Sequence, residues 1–208
     1  MNGFYSRDEE LFHSVSHGIG AAVAAAGAGY LVVRAVAMGD PWRVTSFAIY
    51  GSTLVLLYTA SALYHGVTPG ALKARLRVLD HSAIYLLIAG SYTPFLLLRL
   101  WGPWGWVLFG VIWALALGGV VYKLMLLDRF PRLSTALYLG MSWLALVAGG
   151  PLIERLSTGT LAWLLAGGVI YTLGTLVYHL DGVRYAHVAW HVLVLGGSAC
   201  HFMAIARL

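Results

Sequence analysis

Long apolar runs constrain this chain more than any other feature. Gly, Pro and charged residues punctuate the sequence and leave apolar stretches at about 17–38, 44–66, 80–99, 102–122, 133–152, 158–179 and 186–206. A helix needs about 20 apolar residues to cross the hydrocarbon layer of a membrane, and all seven stretches are long enough. They do not alternate apolar with polar residues, so they predict helices and not the strands of a membrane barrel. The expected fold class is an all-α membrane protein, a seven-transmembrane-helix bundle. Seven spans consume about 140 residues, which leaves only termini and short loops from a chain of 208. Residues 1–208 are therefore expected to form a single transmembrane domain.

Composition excludes the other classes. Hydrophobic residues make up 60% and charged residues 10%, against roughly 45–50% and about 25% in a soluble domain. With so few charges the chain could not cover its own surface in water. The 13% of aromatic residues and the mean hydropathy of +0.80 oppose disorder. A net charge of +5 does not indicate a nucleic-acid partner, because the basic residues are scattered through short loops and do not build one face. The lone Cys200 cannot form an intramolecular disulfide or found a Cys-rich metal site. Residues 1–10, MNGFYSRDEE, are too acidic for the flank of a cleavable secretory signal.

Prolines refine the spans. Pro103, Pro131 and Pro151 fall at span edges, where a missing N–H costs little. Pro94 lies inside the third span and predicts a kink, with Ser91 and Thr93 nearby to satisfy freed backbone groups. Orientation follows from the basic residues. Arg7, Lys73, Arg75, Arg77, Lys123, Arg129, Arg132 and Arg184 fall on one face, and Arg34, Arg43, Arg99, Arg155 and Arg207 on the other. The excess predicts a cytoplasmic N-terminus and an outside C-terminus for a multi-pass protein of the cell's inner (plasma) membrane. Trp42, Trp101, Trp104 and Trp106 cluster toward the outer boundary, as an aromatic belt would.

Ionisable groups within spans are expensive and point to function. In the inferred orientation His17, His65, Asp80, His81, His179, His187 and His191 all fall near the inner ends of five helices. His187 and His191 are spaced i, i+4, which sets their Cβ atoms about 5–6 Å apart on one helix face. Both imidazoles can reach one metal ion, or both can snorkel to lipid headgroups. Ser61 and His65 form a second i, i+4 pair, although a Ser in a span often bonds only its own backbone. Asp80 alone could be an ordinary boundary carboxylate. Together, three histidines from two helices with one open position for water match a catalytic zinc site. A carboxylate and a hydroxyl at the same level could bind or activate that water. His17 and His81 are expected behind the ligands, while His13 and His179 are expected at the inner surface. His201 lies roughly 15 Å beyond His191 along the helix, too far to share the ion.

The motifs carry a resemblance. They are Glu9-Glu10 followed by His17-Gly18-Ile19-Gly20, then Ser61-Ala62-Leu63-Tyr64-His65, then Asp80-His81-Ser82-Ala83-Ile84-Tyr85 with Ala89-Gly90-Ser91-Tyr92-Thr93-Pro94. His187-Val188-Ala189-Trp190-His191 follows and runs on to Gly196-Gly197-Ser198-Ala199-Cys200-His201-Phe202. In this order the chain resembles the bacterial hemolysin III proteins. They are a branch of the progestin and adipoQ receptor superfamily, which includes the adiponectin receptors. His13 departs from the pattern, standing where the resemblance leads one to expect Asn. The resemblance implies a seven-helix bundle with a cytoplasmic N-terminus. It also implies Zn2+ held by His65, His187 and His191, with Asp80 holding the water and Ser61 beside it. Related membrane hydrolases cleave the amide bond of ceramide-like lipids.

Three functions compete. The first is a zinc-dependent intramembrane hydrolase of a lipid amide or ester, with Asp80 as general base and Ser61 orienting water or substrate. The second is a non-enzymatic, receptor-like protein or regulator of membrane state, its structural zinc closed by Asp80 or another histidine. The third is a transporter or pore, which the near-absence of ionisable residues from the outer halves of the spans argues against. A membrane lipid is the expected partner in the first.

Overall fold

In a computed structural model of the chain, the structure describes residues 5–127, 129–180 and 182–208. Every regular element among them is helical: α1 (Arg7–Ala37), α2 (Pro41–Gly66), α3 (Ala71–Leu98), α4 (Pro103–Leu126), α5 (Pro131–Ser142), a 3-10 helix (Trp143–Ala148), α6 (Gly149–Arg155), α7 (Thr158–Tyr178) and α8 (Ala186–Ile205). Helices α1, α2, α3, α4, α7 and α8 are long and apolar enough to cross a membrane, which makes 6 spans, or 7 if α5 and α6 are joined. Of the N-terminal segment read above, Met1–Phe4 lie outside the described residues.

Helix α1 begins well before the apolar run that opens at 17, and its cap explains why. Ser6 and Glu9 form a capping box: the Glu9 N–H donates to Ser6 Oγ at 3.3 Å, and the Ser6 N–H donates to Glu9 Oε2 at 3.1 Å. The added turns carry Glu10 and His13 into the helix. Helix α2 starts at Pro41 behind Asp40, whose carboxylate accepts from the Trp42 and Arg43 N–H groups, both at 3.1 Å. Those bonds, the one from Arg43 foremost, hold the Asp40 carboxyl below its ordinary range.

The span expected over 133–152 is not one straight helix. Its two pieces, Arg132–Val147 and Gly149–Arg155, meet at 60°, at the end of the 3-10 segment. Gly149, Gly150 and Pro151 account for the break, because Pro151 offers no N–H to the preceding turn and its ring collides with the carbonyl there. Pro151 instead sits in the first turn of α6, where helical N–H groups are unpaired in any case. Tyr92 of α3 satisfies part of the interrupted backbone: its hydroxyl donates to the Ser142 carbonyl and accepts the Ala145 N–H, both at 2.7 Å. At Pro94, by contrast, α3 runs on without a break. Thr93 Oγ1 donates to the Ala89 carbonyl at 2.9 Å and Ser91 Oγ to the Ile88 carbonyl at 2.8 Å, just before the carbonyl that Pro94 leaves without a donor.

Successive helices pack as neighbours, α1 on α2, α2 on α3, α3 on α4 and α7 on α8, while α1 also meets α8. The close approach of α1 and α2 depends on Gly51, where a Cβ would fall 2.5 Å from that of Ala28. Tyr50, Tyr58, Tyr85, Leu31 and Ile112 are fully buried, whereas Ile19, Val23 and Val33 on the far face of α1 are exposed. Apolar side chains facing outward and polar ones gathered inward suit a bundle whose solvent is lipid.

Candidate metal centre

Helix α1 supplies the middle of the site. Glu10, His13 and His17 recur at i, i+3 and i+7, which places them on one face. His13 and His17 are buried, while Leu11, Phe12, Val15 and Ile19 point outward. The last turn of α2 brings buried His65, and the first turns of α8 bring half-buried His187 and buried His191. Because α1 touches both α2 and α8, His13 meets histidines from each. Its ring centroid lies 4.6 Å from that of His65, 4.7 Å from His187 and 5.1 Å from His191. His187 and His191 are 4.8 Å apart, and His65 is 5.3 Å from His187 and 5.1 Å from His191. Ligand-capable nitrogens of His13, His65 and His187 all lie within 4.8 Å of one another and could hold a metal ion. His17 stacks on His191 at 3.6 Å with the rings 8° from parallel.

Hydrogen bonds decide which nitrogens face inward. His65 Nδ1 lies 2.7 Å from Glu10 Oε2. The carboxylate accepts, so Nδ1–H donates, and Nε2 is left with its lone pair. Glu10 is itself held by Lys73, whose Nζ lies 3.0 Å from Oε1 and also donates to the Tyr64 and Val67 carbonyls. Ser16 Oγ donates to the His13 carbonyl at 3.0 Å and lies 3.3 Å from His191 Nδ1. Its one proton is thereby used, so His191 Nδ1–H is the donor and its Nε2 carries the lone pair. Among the described residues, His65 Nε2 and both nitrogens of His13 are buried without a hydrogen-bond partner. An orphan polar group of this kind costs several kcal/mol in a membrane interior. Neutral imidazoles converging with free lone pairs fit the donor set of a zinc site.

Behind the cluster lies a cavity of about 1400 Å³. His65, His187 and His191 line one part of it, as do Ser61 and Asp80. The Asp80 carboxyl is half-buried and paired with the Ser61 hydroxyl, with Lys123 of α4 close enough to act on it electrostatically. Elsewhere the wall is largely apolar, with Phe95, Leu108, Ile112 and Leu152 among its residues.

Ser61, His65, Asp80, His187 and His191, the residues singled out from the sequence, thus all line one cavity. His81 lines it too, with Nδ1 2.7 Å from the Arg77 carbonyl of its own helix. His179 is exposed and bonds Thr135 at 3.0 Å, in keeping with a surface position. His201 packs against Tyr171, far from the cluster in the chain, at 5.2 Å between rings. His13 corrects the expectation of a surface residue: it is 0% exposed and central. Since α1 starts at Arg7 and not at the apolar run, His13 lies one turn before His17 on the inward face. His13-x3-His17 repeats the spacing of His187-x3-His191 and was the signal available for it. Glu10 and Ser16 carried no comparable local mark.

Comparison with known proteins gives this site a family. Residues 5–202 match the model of the family described as haemolysin-III related. The chain belongs to that family. It is 42% identical over 197 residues to the hemolysin-3 homolog of Bacillus subtilis (strain 168), covering 95% of this chain and 92% of the relative. Hemolysin-3 of Bacillus cereus is likewise 42% identical over 197 residues, with 95% and 90% covered. The human monocyte to macrophage differentiation factor is 33% identical over 175 residues, which is 80% of this chain and 71% of that protein. The haemolysin-III chain is thereby placed with the progestin and adipoQ receptor superfamily, as a multi-pass membrane protein.

Proposed function

We propose that this haemolysin-III chain is a zinc-binding hydrolase that cleaves an amide or ester bond of a membrane lipid. The observation that carries the reading is that histidines of the cluster and the Asp80–Ser61 pair line the same cavity of about 1400 Å³, which is otherwise mostly apolar. A pocket so lined takes up acyl chains and leaves the polar linkage of the lipid near the ionisable groups. His65, His187 and His191 would hold the ion, with Glu10 and Ser16 setting the tautomers of His65 and His191. Zinc, when bound, supplies Lewis acidity, polarising a carbonyl and lowering the pKa of water toward about 7.

The protein's own groups handle the proton. Asp80 opens to the cavity, so its carboxylate can take a proton from the attacking water and return it to the departing amine or alcohol. Ser61 holds that carboxylate in one direction. The apolar walls exclude bulk water from the acyl chains.

The same reading makes 1–208 one transmembrane unit of seven spans, α5 and α6 together forming the fifth. The N-terminus and the α2–α3 connection with the first turns of α3 face the cytoplasm and the C-terminus faces outside, across the bacterial plasma membrane. Reporter fusions after Arg77 and after Leu208 should then give opposite readouts; matching readouts would overturn the span count. For the chemistry, Asp80→Asn keeps the shape of the side chain and removes its basicity. The variant should retain zinc while turnover of short-chain lipid amides falls about 10²–10⁴-fold. A zinc-loaded parent inert toward lipid amides and esters would overturn the hydrolase in favour of a receptor-like regulator.

A further inference from the structure

The cluster contains two more histidines than the three-ligand site requires, His13 and His17, and His13 is the better placed of the two. His13 is 0% exposed, both its nitrogens lack a hydrogen-bond partner, and its ring lies within 5.1 Å of His65, His187 and His191 alike. The mutually close nitrogens include one from His13, together with His65 and His187. Ligand nitrogens around a tetrahedral zinc stand about 3.3 Å apart. The 4.8 Å limit that bounds this trio is thus within a modest side-chain rotation of ligating geometry. His17 is the contrasting case, since its ring lies flat on His191 and its face, not its lone pairs, meets the cluster.

We propose that His13 is a protein ligand of this metal in the resting site, filling the position that the proposed hydrolase opens to water, so that four imidazoles from α1, α2 and α8 surround the ion until substrate enters. The proposal rests on reading the cluster as a metal centre. Ligation would give the orphaned ring a partner and would tie α1 into the site, adding to its bonds with the α8 segment, among them Tyr185 N–H to Glu9 at 3.0 Å and Arg34 to the Ala206 carbonyl at 2.7 Å. Removing His13 leaves a three-histidine site with an open position.

The test uses the full chain in detergent, loaded with zinc or with cobalt. X-ray absorption should count four imidazoles in the parent and three in His13→Asn, and zinc should be at least about tenfold easier to strip with a chelator from the variant. His17→Asn, the control, should keep all four. Cobalt-loaded His13→Cys should gain a near-ultraviolet thiolate-to-cobalt band absent from the parent, whose only thiol is the buried Cys200. This variant gains a signal, so it reads residue 13 even if His13→Asn folds poorly. A parent that binds no metal overturns the metal-centre reading and this proposal together. Three imidazoles in both parent and His13→Asn, with no band in His13→Cys, overturn the ligation of His13 alone.

Discussion

At the tryptophan end of the bundle, Arg34 donates to the Ala206 carbonyl and Arg99 to the Leu208 carbonyl, both at 2.7 Å, and Arg155 donates to the Arg99 carbonyl at 3.0 Å. Of these side chains only Arg99 Nε is buried without a partner. Midway along the bundle, the Tyr58 and Tyr171 hydroxyls both lie 2.7 Å from Ser198 Oγ. At the histidine end, His65 Nε2 and both nitrogens of His13 are left without partners. Polar groups at the tryptophan end pin helices together, and the fold satisfies those named above except Arg99 Nε. The histidine end gathers unpaired imidazole nitrogens from α1 and α2 beside those of α8, the pattern that the proposed metal centre would use.

The contrast breaks most clearly if metal affects both ends equally. His65→Ala combined with His187→Ala should abolish metal retention and lower the melting temperature. A ligand present at about 1,000 times its Kd contributes about 4 kcal/mol, and a chelator should reduce the parent to the stability of the variant. A chelator that leaves the parent's melting temperature unchanged would remove the ion from the account of stability. Glu10→Gln comes next. Glu10 holds Nδ1 of His65 and is not among the nitrogens that converge, so its loss should weaken metal binding about 10–100-fold without abolishing it. Competition against a calibrated chelator measures this, and unchanged affinity would reduce the Glu10–His65 contact to packing.

The remaining variants test the other side of the contrast. Arg99→Gln removes a charged donor from the Leu208 carbonyl and should cost about 1.5–3 kcal/mol in unfolding, with metal affinity unaltered. Tyr171→Phe removes one hydroxyl from the Ser198 pair and should cost about 1 kcal/mol, again with no change in metal content. Loss of metal in either variant would show that the two ends are coupled and not independent.

The same contrast explains what could be read without coordinates. Span positions followed from hydropathy because the thickness of the membrane dictates helix length. The break within the stretch over 133–152 escaped because Gly149, Gly150 and Pro151 act through local backbone geometry, which an average over apolar residues does not register. His187 and His191 stood out as a pair because helical spacing alone brings them together. His13 was assigned to the surface because the apolar run begins at 17, whereas the true start of α1 is set by four polar residues, Ser6 to Glu9. Glu10 had no role until α2 brought His65 to within 2.7 Å. Such contacts belong to tertiary structure, and no spacing within one helix foretells them.

Metal analysis of the purified, unmodified chain tests the central claim most directly. After exhaustive dialysis against a weak chelator, about one zinc per chain should remain, bound by imidazole nitrogen according to X-ray absorption, and His65→Ala with His187→Ala should abolish it. A parent that retains no metal, or a double variant that retains as much as the parent, would contradict a metal centre at the histidine end of the bundle.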